Sequence, residues 1–242
     1  MAERKKWFLQ GMRDGAPIGL GYFAVAFALG INAVSAGFTP LMAALMSLLN
    51  LTSAGEAAAI TLIGAGTTFL ELAVTQLVIN MRYLLMSCSL SQKISPGTRF
   101  WHRFGIGFGV TDEIFAVSMA VPGKLVPAYS YGAMTMAVPG WTLGTLLGGV
   151  MGNALPARAV GALGVALYAM FLAIILPPAR ESRVIAGVVG ASMLASAALA
   201  LAVKHFAWSG FTEGFRIIVL TVVISAVAAL LFPVREDKGV AQ

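Results

Sequence analysis

Five ionisable side chains, Glu56, Glu71, Arg82, Asp112 and Glu113, stand inside long apolar stretches of this chain. On insertion scales a charge at membrane depth costs roughly 2.5–3.5 kcal/mol, so such residues mark polar pathways, ion pairs or proton relays. The chemistry open to them is binding, pairing and proton exchange. Hydrolysis has no basis here: no HExxH or GxSxG occurs, and His102 and His205 both fall at the ends of apolar runs. No Gly-rich phosphate loop and no metal-binding cluster is present, and the lone Cys88 excludes a disulfide framework. The chain reads as no enzyme, and no cofactor is expected.

The most specific local feature is Thr52-Ser53-Ala54-Gly55-Glu56. Thr and Ser are helix N-cap types, and Gly55 permits the backbone to turn. A half-helix starting at Ser53 would aim free N–H groups at an anion. Ser53, Ala54, Gly55 and Glu56 are therefore substrate-binding candidates, the N–H groups near Ser53–Gly55 for a carboxylate, with Glu56 close to them. The alternative is a capped turn near the surface, with Glu56 complementing the helix dipole.

At 100° per residue, Thr68, Glu71, Thr75 and Arg82 fall within about 60° on one helix face. Gln76 and Asn80 form a neighbouring polar strip. Glu71 and Asn80 are substrate-binding candidates on that basis, or pairing residues between helices. Arg82, near the inner end of the run, could instead snorkel to headgroups. Thr111-Asp112-Glu113 interrupts another apolar run. Adjacent acids point about 100° apart on a helix, so they do not line one wall equally. Asp112 and Glu113 are expected to couple a proton or, with Arg82, to form a structural ion pair.

These residues need a membrane scaffold. Hydrophobic residues make up 59% of the 242 and charged residues 11%, against about 25% charged in soluble domains. Mean hydropathy is +0.87. The expected fold is all-α, a polytopic transmembrane helix bundle of about seven spans plus a short broken or re-entrant helix pair. Spans are expected at 17–36, 67–90, 104–121, 129–155, 159–176, 184–203 and 215–232. The apolar run 41–51 gives only roughly 16 Å of helix, too short to cross alone. With 57–63 it forms the broken or re-entrant pair, its tip at 50–56. Irregular backbone at such depth requires protein or a water-filled cavity around it.

The net charge of +6 concentrates at Arg4, Lys5, Lys6 and Arg13 and at Lys93, Arg99 and Arg103. In so apolar a chain this marks cytoplasmic loops rather than nucleic-acid binding. A cytoplasmic N-terminal segment (1–16), a single transmembrane transport domain (17–233) and a polar C-terminal tail (234–242) follow. The N-terminus imitates a secretory signal, but Asp14 and Pro17 interrupt it, and an uncleaved first span is expected. Pro139-Gly140 interrupts a later run, as a trace of inverted repeats or as an ordinary kink.

With these residues in view, the chain resembles the AzlC family, the large subunit of branched-chain amino-acid exporters, over residues 8–176. The resemblance rests on Gly15-Ala16-Pro17-Ile18-Gly19, on Ser53-Ala54-Gly55, and on Asn80-Met81-Arg82-Tyr83-Leu84-Leu85. It rests further on Thr111-Asp112-Glu113 and on Tyr168-Ala169-Met170-Phe171-Leu172. Members often carry Gln where this chain has Glu56, and an acid near Val165 or Ala166; Glu71 is an additional acid. The resemblance implies proton-driven export of valine, leucine, isoleucine or a related amino acid. It also implies a small AzlD-type membrane partner and a multi-pass location among the lipids of a bacterial inner membrane. A channel or facilitator for another small zwitterionic solute, and a structural membrane subunit, are the competing readings.

Overall fold

A computed structural model describes residues 2–154, 179–205 and 213–232, with isolated positions between 155 and 178. The described chain is helical: α1 (Ala2–Ser35), α2 (Pro40–Leu49), α3 (Ser53–Gly64), α4 (Phe69–Ile79), α5 (Arg82–Lys93), α6 (Phe100–Phe108), α7 (Asp112–Ala120), α8 (Pro127–Met151), α9 (Arg183–His205) and α10 (Glu213–Leu231). It divides into two compact units, residues 1–66 with 80–170, and residues 67–79 with 171–242.

The first unit is built on α1 and α8, packed side by side and running in the same direction. Gly11 of α1 lies against Tyr129, Gly15 against Ala133, Gly19 against Met136 and Gly30 against Thr145. Gly132, Gly140, Gly144 and Gly148 of α8 meet the α1 backbone at Phe8, Gly19, Phe23 and Phe27 in turn. Small residues four apart let two helix backbones touch, the usual device for helix pairing in lipid. A Cβ at Gly15 would stand 2.7 Å from the Ala133 backbone oxygen. Residues 2–16, expected as a separate segment, are the first turns of α1. There Tyr129 Oη donates to Asp14 Oδ2 at 2.9 Å, which satisfies the acid that interrupts the apolar run.

Two helical hairpins enter this frame from opposite ends. The first is α2/α3. Thr39 caps α2 by accepting from the Met42 N–H at 3.2 Å, with Pro40 at the first helical position. Along α2 and α3 the neighbours on α8 run backwards: Pro40 beside Gly149, Ser47 on Thr145, Glu56 on Trp141. The chain then returns, and Gly64 lies against Ala36, where α1 ends. The segment expected as a broken or re-entrant pair forms a helical hairpin, turned by residues 50–52, where the Thr52 N–H donates to the Asn50 carbonyl at 2.6 Å. Gly55 does not make the turn: it is buried in the first turn of α3 with helical backbone. Positive φ occurs instead at Gly37, Gly66, Gly97 and Gly123, in the connections between helices.

The second hairpin corrects an expectation. Residues 104–121 are not one span; α6 and α7 are separated by a break at 109–111. His102 Nδ1 lies 3.1 Å from Tyr131 Oη near the start of α8. The tip reaches Tyr22, deep along α1. The chain then comes back, so that the Val117 carbonyl lies 3.3 Å from Tyr129 Oη. The loops on either side of the hairpin bond to each other: Ser95 N–H to the Leu125 carbonyl at 3.0 Å, and Leu125 N–H to the Lys93 carbonyl at 2.9 Å. Leu90, Ile106, Val110, Val121 and Leu125 close a core beneath it.

The expected span at 67–90 is also broken, between Ile79 and Arg82. In the second unit, α4 and α9 each pack against α10. Among the described residues, two helices are long and apolar enough to cross a membrane, and three if α4 and α5 count as one broken span. Seven spans are therefore not what the described residues show. The shortfall has a physical cause: much of the apolar sequence forms hairpin halves of 9 to 12 residues, where a full crossing takes about 20. The run 159–176 lies outside the described residues, as does the 234–242 tail.

Candidate functional site

The tips of the two hairpins meet in the middle of the first unit. They enclose a small cavity lined by Tyr22, Leu51, Ser53, Tyr83, Thr111, Asp112, Glu113 and Trp141. Its free volume is about 10 Å³, close to the space of one water. The helices α3, α5 and α7 begin at Ser53, Arg82 and Asp112, at or beside this cavity. Three positive dipole ends therefore converge there.

Their caps differ. Thr111 caps α7, accepting from the Ile114 N–H at 3.2 Å. Neither Thr52 nor Met81 gives α3 or α5 a side-chain cap. At α5 the Tyr83 and Leu84 N–H groups already donate to the Asn80 and Met81 carbonyls at 2.9 and 3.0 Å, so it is the start of α3 that favours an anion.

Arg82 Nη1 pairs with Asp112 Oδ2 at 3.1 Å. A cation at a helix start opposes the dipole, and an acid there complements it; the pair offsets the first with the second. The Arg82 Nε and Nη2 atoms are buried with no hydrogen-bond partner. The guanidinium carbon lies 5.1 Å from the centre of the Tyr83 ring. A guanidinium fork with two unpaired N–H directions suits a carboxylate.

Across the cavity, the Tyr22 hydroxyl donates to the Glu113 carboxylate and lies 2.6 Å from Thr111 Oγ1. Tyr22 packs edge-on against Trp141, ring centres 5.2 Å apart. Behind Trp141 sits Glu56, fully buried, bonded to Trp141 Nε1 at 2.7 Å and to the Ser47 hydroxyl.

The structure thus brings together Ser53, Asp112 and Glu113 at the cavity, with Arg82 beside it through Asp112. Ala54 and Gly55 follow Ser53 in the first turn of α3, and Glu56 is held behind the wall. Asn80 is half-buried at the break before α5, and its carbonyl accepts from the Tyr83 N–H at 2.9 Å. Glu71 is on α4, in the second unit, outside the cavity lining. It does not share a helix face with Arg82, because the helix between them is broken. Sequence reasoning missed Tyr22, Leu51, Tyr83 and Trp141. The usable signal was the type of Tyr22 and Trp141: aromatic rings with a polar handle in mid-run, which seek a partner when buried. Among the described residues no group of three metal-ligating side chains gathers.

This arrangement can be set beside known proteins. The family model for AzlC protein matches residues 17–155, more than half of the chain.

The chain belongs to the AzlC family.

Both hairpins, α8 and the part of α1 from Pro17 onward fall within the matched segment of this AzlC-family member. It is 30% identical over 202 residues to the inner membrane protein YgaZ of Escherichia coli, covering 76% of this chain and 79% of that one. It is 31% identical over 188 residues to an uncharacterized membrane protein of Archaeoglobus fulgidus, covering 77% and 82%. No solved structure matches. The protein is a membrane protein of a transport-related family and not an enzyme.

Proposed function

We propose that this protein is the large permease subunit of a proton-driven exporter of branched-chain or related amino acids in a bacterial inner membrane. The observation that carries this is the cavity where the start of α3 and the Glu113 carboxylate meet the Leu51 and Trp141 walls, with Arg82, whose Nε and Nη2 have no hydrogen-bond partner, beside it through Asp112. An amino acid is a dipolar ion with a side chain, and each part finds a complement. The start of α3 at Ser53 and Ala54, with Arg82, receives the carboxylate. Glu113 receives the ammonium in exchange for its bond with Tyr22. Leu51 and the rings of Tyr22 and Trp141 face the aliphatic side chain.

The cavity as it stands admits no amino acid, so transport needs one tip to withdraw. The hairpins enter from opposite ends, so withdrawing one tip exposes the site towards one end and withdrawing the other towards the opposite end. That is alternating access around a fixed site. An AzlD-type small subunit is the proposed partner, on the strength of the family.

The test is counterflow of radiolabelled valine, leucine and isoleucine in proteoliposomes, with and without the small subunit. Glu113→Gln, which keeps a polar side chain for Tyr22, is expected to fold normally and to lower exchange at least tenfold. Exchange in the native protein that ignores a pH gradient would indicate a facilitator instead. Full transport by the single chain would count against an obligatory small subunit.

The same reading puts the start of α1 and the loop at 94–99 in the cytoplasm, because Arg4, Arg99 and His102 line one surface pocket. In a protein with Cys88 replaced, Pro96→Cys is expected to react with an impermeant maleimide only in inside-out vesicles. Labelling in intact cells would reverse the topology.

A further inference from the structure

Glu56 is used by none of the contacts that would hold a substrate. It is fully buried, as are Ser47 and Thr145, and Trp141 is 2% exposed. Its two hydrogen-bond partners, the Ser47 hydroxyl and the Trp141 indole N–H, are neutral. Ser47 Oγ lies 2.6 Å from Thr145 Oγ1, and either can donate. Thr145 Oγ1 in turn lies 3.2 Å from the Trp141 carbonyl. The chain of groups is therefore carboxyl, hydroxyl, hydroxyl, carbonyl.

Such a chain has two fully bonded states. With Glu56 ionised, Trp141 N–H and Ser47 O–H both donate to the carboxylate, and Thr145 O–H donates to Ser47. With Glu56 protonated at Oε1, its O–H donates to Ser47, Ser47 O–H turns to Thr145, and Thr145 O–H turns to the Trp141 carbonyl. One proton is added at Oε1, two hydroxyls rotate, and no buried donor or acceptor is left without a partner. A carboxylate bonded only to a backbone donor or a cation would have no such second state.

The surrounding charges do not disturb this. No charged residue occurs in α2 or α8, and Glu56 is the sole one in α3. Of the ionisable groups on neighbouring elements, those at the adjoining cavity are Tyr22 on α1, Asp112 and Glu113 on α7 and Tyr83 on α5, with Arg82 paired to Asp112. Asp112 is held by Arg82, and Glu113 by Tyr22.

We propose that Glu56 is a proton-binding site, loaded from water in the opened cavity, and that its protonation releases the α2/α3 hairpin from α8. Glu56 and Ser47 ride on the hairpin, while Trp141 and Thr145 stay on α8. An ionised Glu56 is held to Trp141 by a charge-assisted bond, and a neutral one by a weaker bond. Moving the hairpin away strands a buried charge in the first case and a neutral acid in the second. The proton site stands on its own geometry; only its purpose rests on the transport reading.

The test is infrared difference spectroscopy of the purified full-length protein in nanodiscs as pH is stepped. One protonated-carboxyl band is expected to appear as pH falls and to be absent in Glu56→Gln, whose amide can bond to both Ser47 and Trp141. Persistence of that band in folded Glu56→Gln overturns the proposal. Trp141→Phe, which leaves the carboxyl in place, should displace the band in frequency; an unmoved band overturns it equally. Counterflow in the same preparations separates the two readings. A titrating Glu56 band without amino-acid exchange upholds the proton site and rejects the exporter. Exchange without the band does the reverse.

Discussion

Gly15→Val is expected to leave little folded protein. The added Cβ would stand 2.7 Å from both the Cα and the carbonyl oxygen of Ala133. Both are backbone atoms, so the clash is relieved only by parting α1 from α8 along their whole contact. Overpacking typically costs 1–3 kcal/mol, and with a backbone neighbour the cost should reach about 3 kcal/mol or more. The hairpins take their partners from these two helices, at Tyr22, Trp141 and Thr145, so they lose their frame too. Gly21→Val is the control on the same helix, because nothing lies within 4 Å of its added Cβ. Its stability should stay within about 0.5 kcal/mol of the native protein. Thermal unfolding in detergent, followed by size-exclusion chromatography, separates the two. Equal stability of both variants would mean that the helices are not in backbone contact.

Breaking the Arg82–Asp112 pair should have the second-largest effect, and the repair of that effect is the informative part. Arg82→Met leaves Asp112 uncompensated at the end of a buried hairpin. Removing one partner of a fully buried pair costs roughly 3–5 kcal/mol and of an exposed one about 0–1; with the Arg82 side chain 37% and the Asp112 side chain 25% exposed, a value between the two is expected. Adding Asp112→Leu removes the stranded charge and should recover most of the loss. Exchange of amino acids should nevertheless stay absent in the double variant, since no guanidinium remains for the carboxylate. A double variant that is both stable and fully active would make the pair purely structural.

How far these residues were legible beforehand differs from case to case. The first hairpin could be read because its halves are too short to cross and a polar turn divides them. The second could not, because 104–121 has the length of a span. Its break is marked only by Gly107, Gly109 and the cap Thr111, signals that are equally at home in an intact membrane helix. The face shared by Glu71 and Arg82 assumed one continuous helix, and the Asn80-Met81 break carries neither Gly nor Pro to announce itself. Gly55 was assigned to the turn on residue type, whereas the turn falls at 50–52 and the helix has already begun.

Composition determined that the chain belongs in a membrane, because a chain with 11% charged residues cannot cover itself in water, and apolar runs of about 20 residues made it helical. Residue types alone singled out Ser53, Glu56, Arg82, Asp112 and Glu113, because an ionisable or capping group in an apolar run costs too much to stand there idle. Which of them share a cavity was decided only by the tertiary structure. Tyr22 and Glu113 are 91 positions apart, and Glu56 and Trp141 are 85. No local periodicity relates residues at such separations. They meet because glycines hold α1 and α8 in backbone contact, and two hairpins enter that frame from opposite ends.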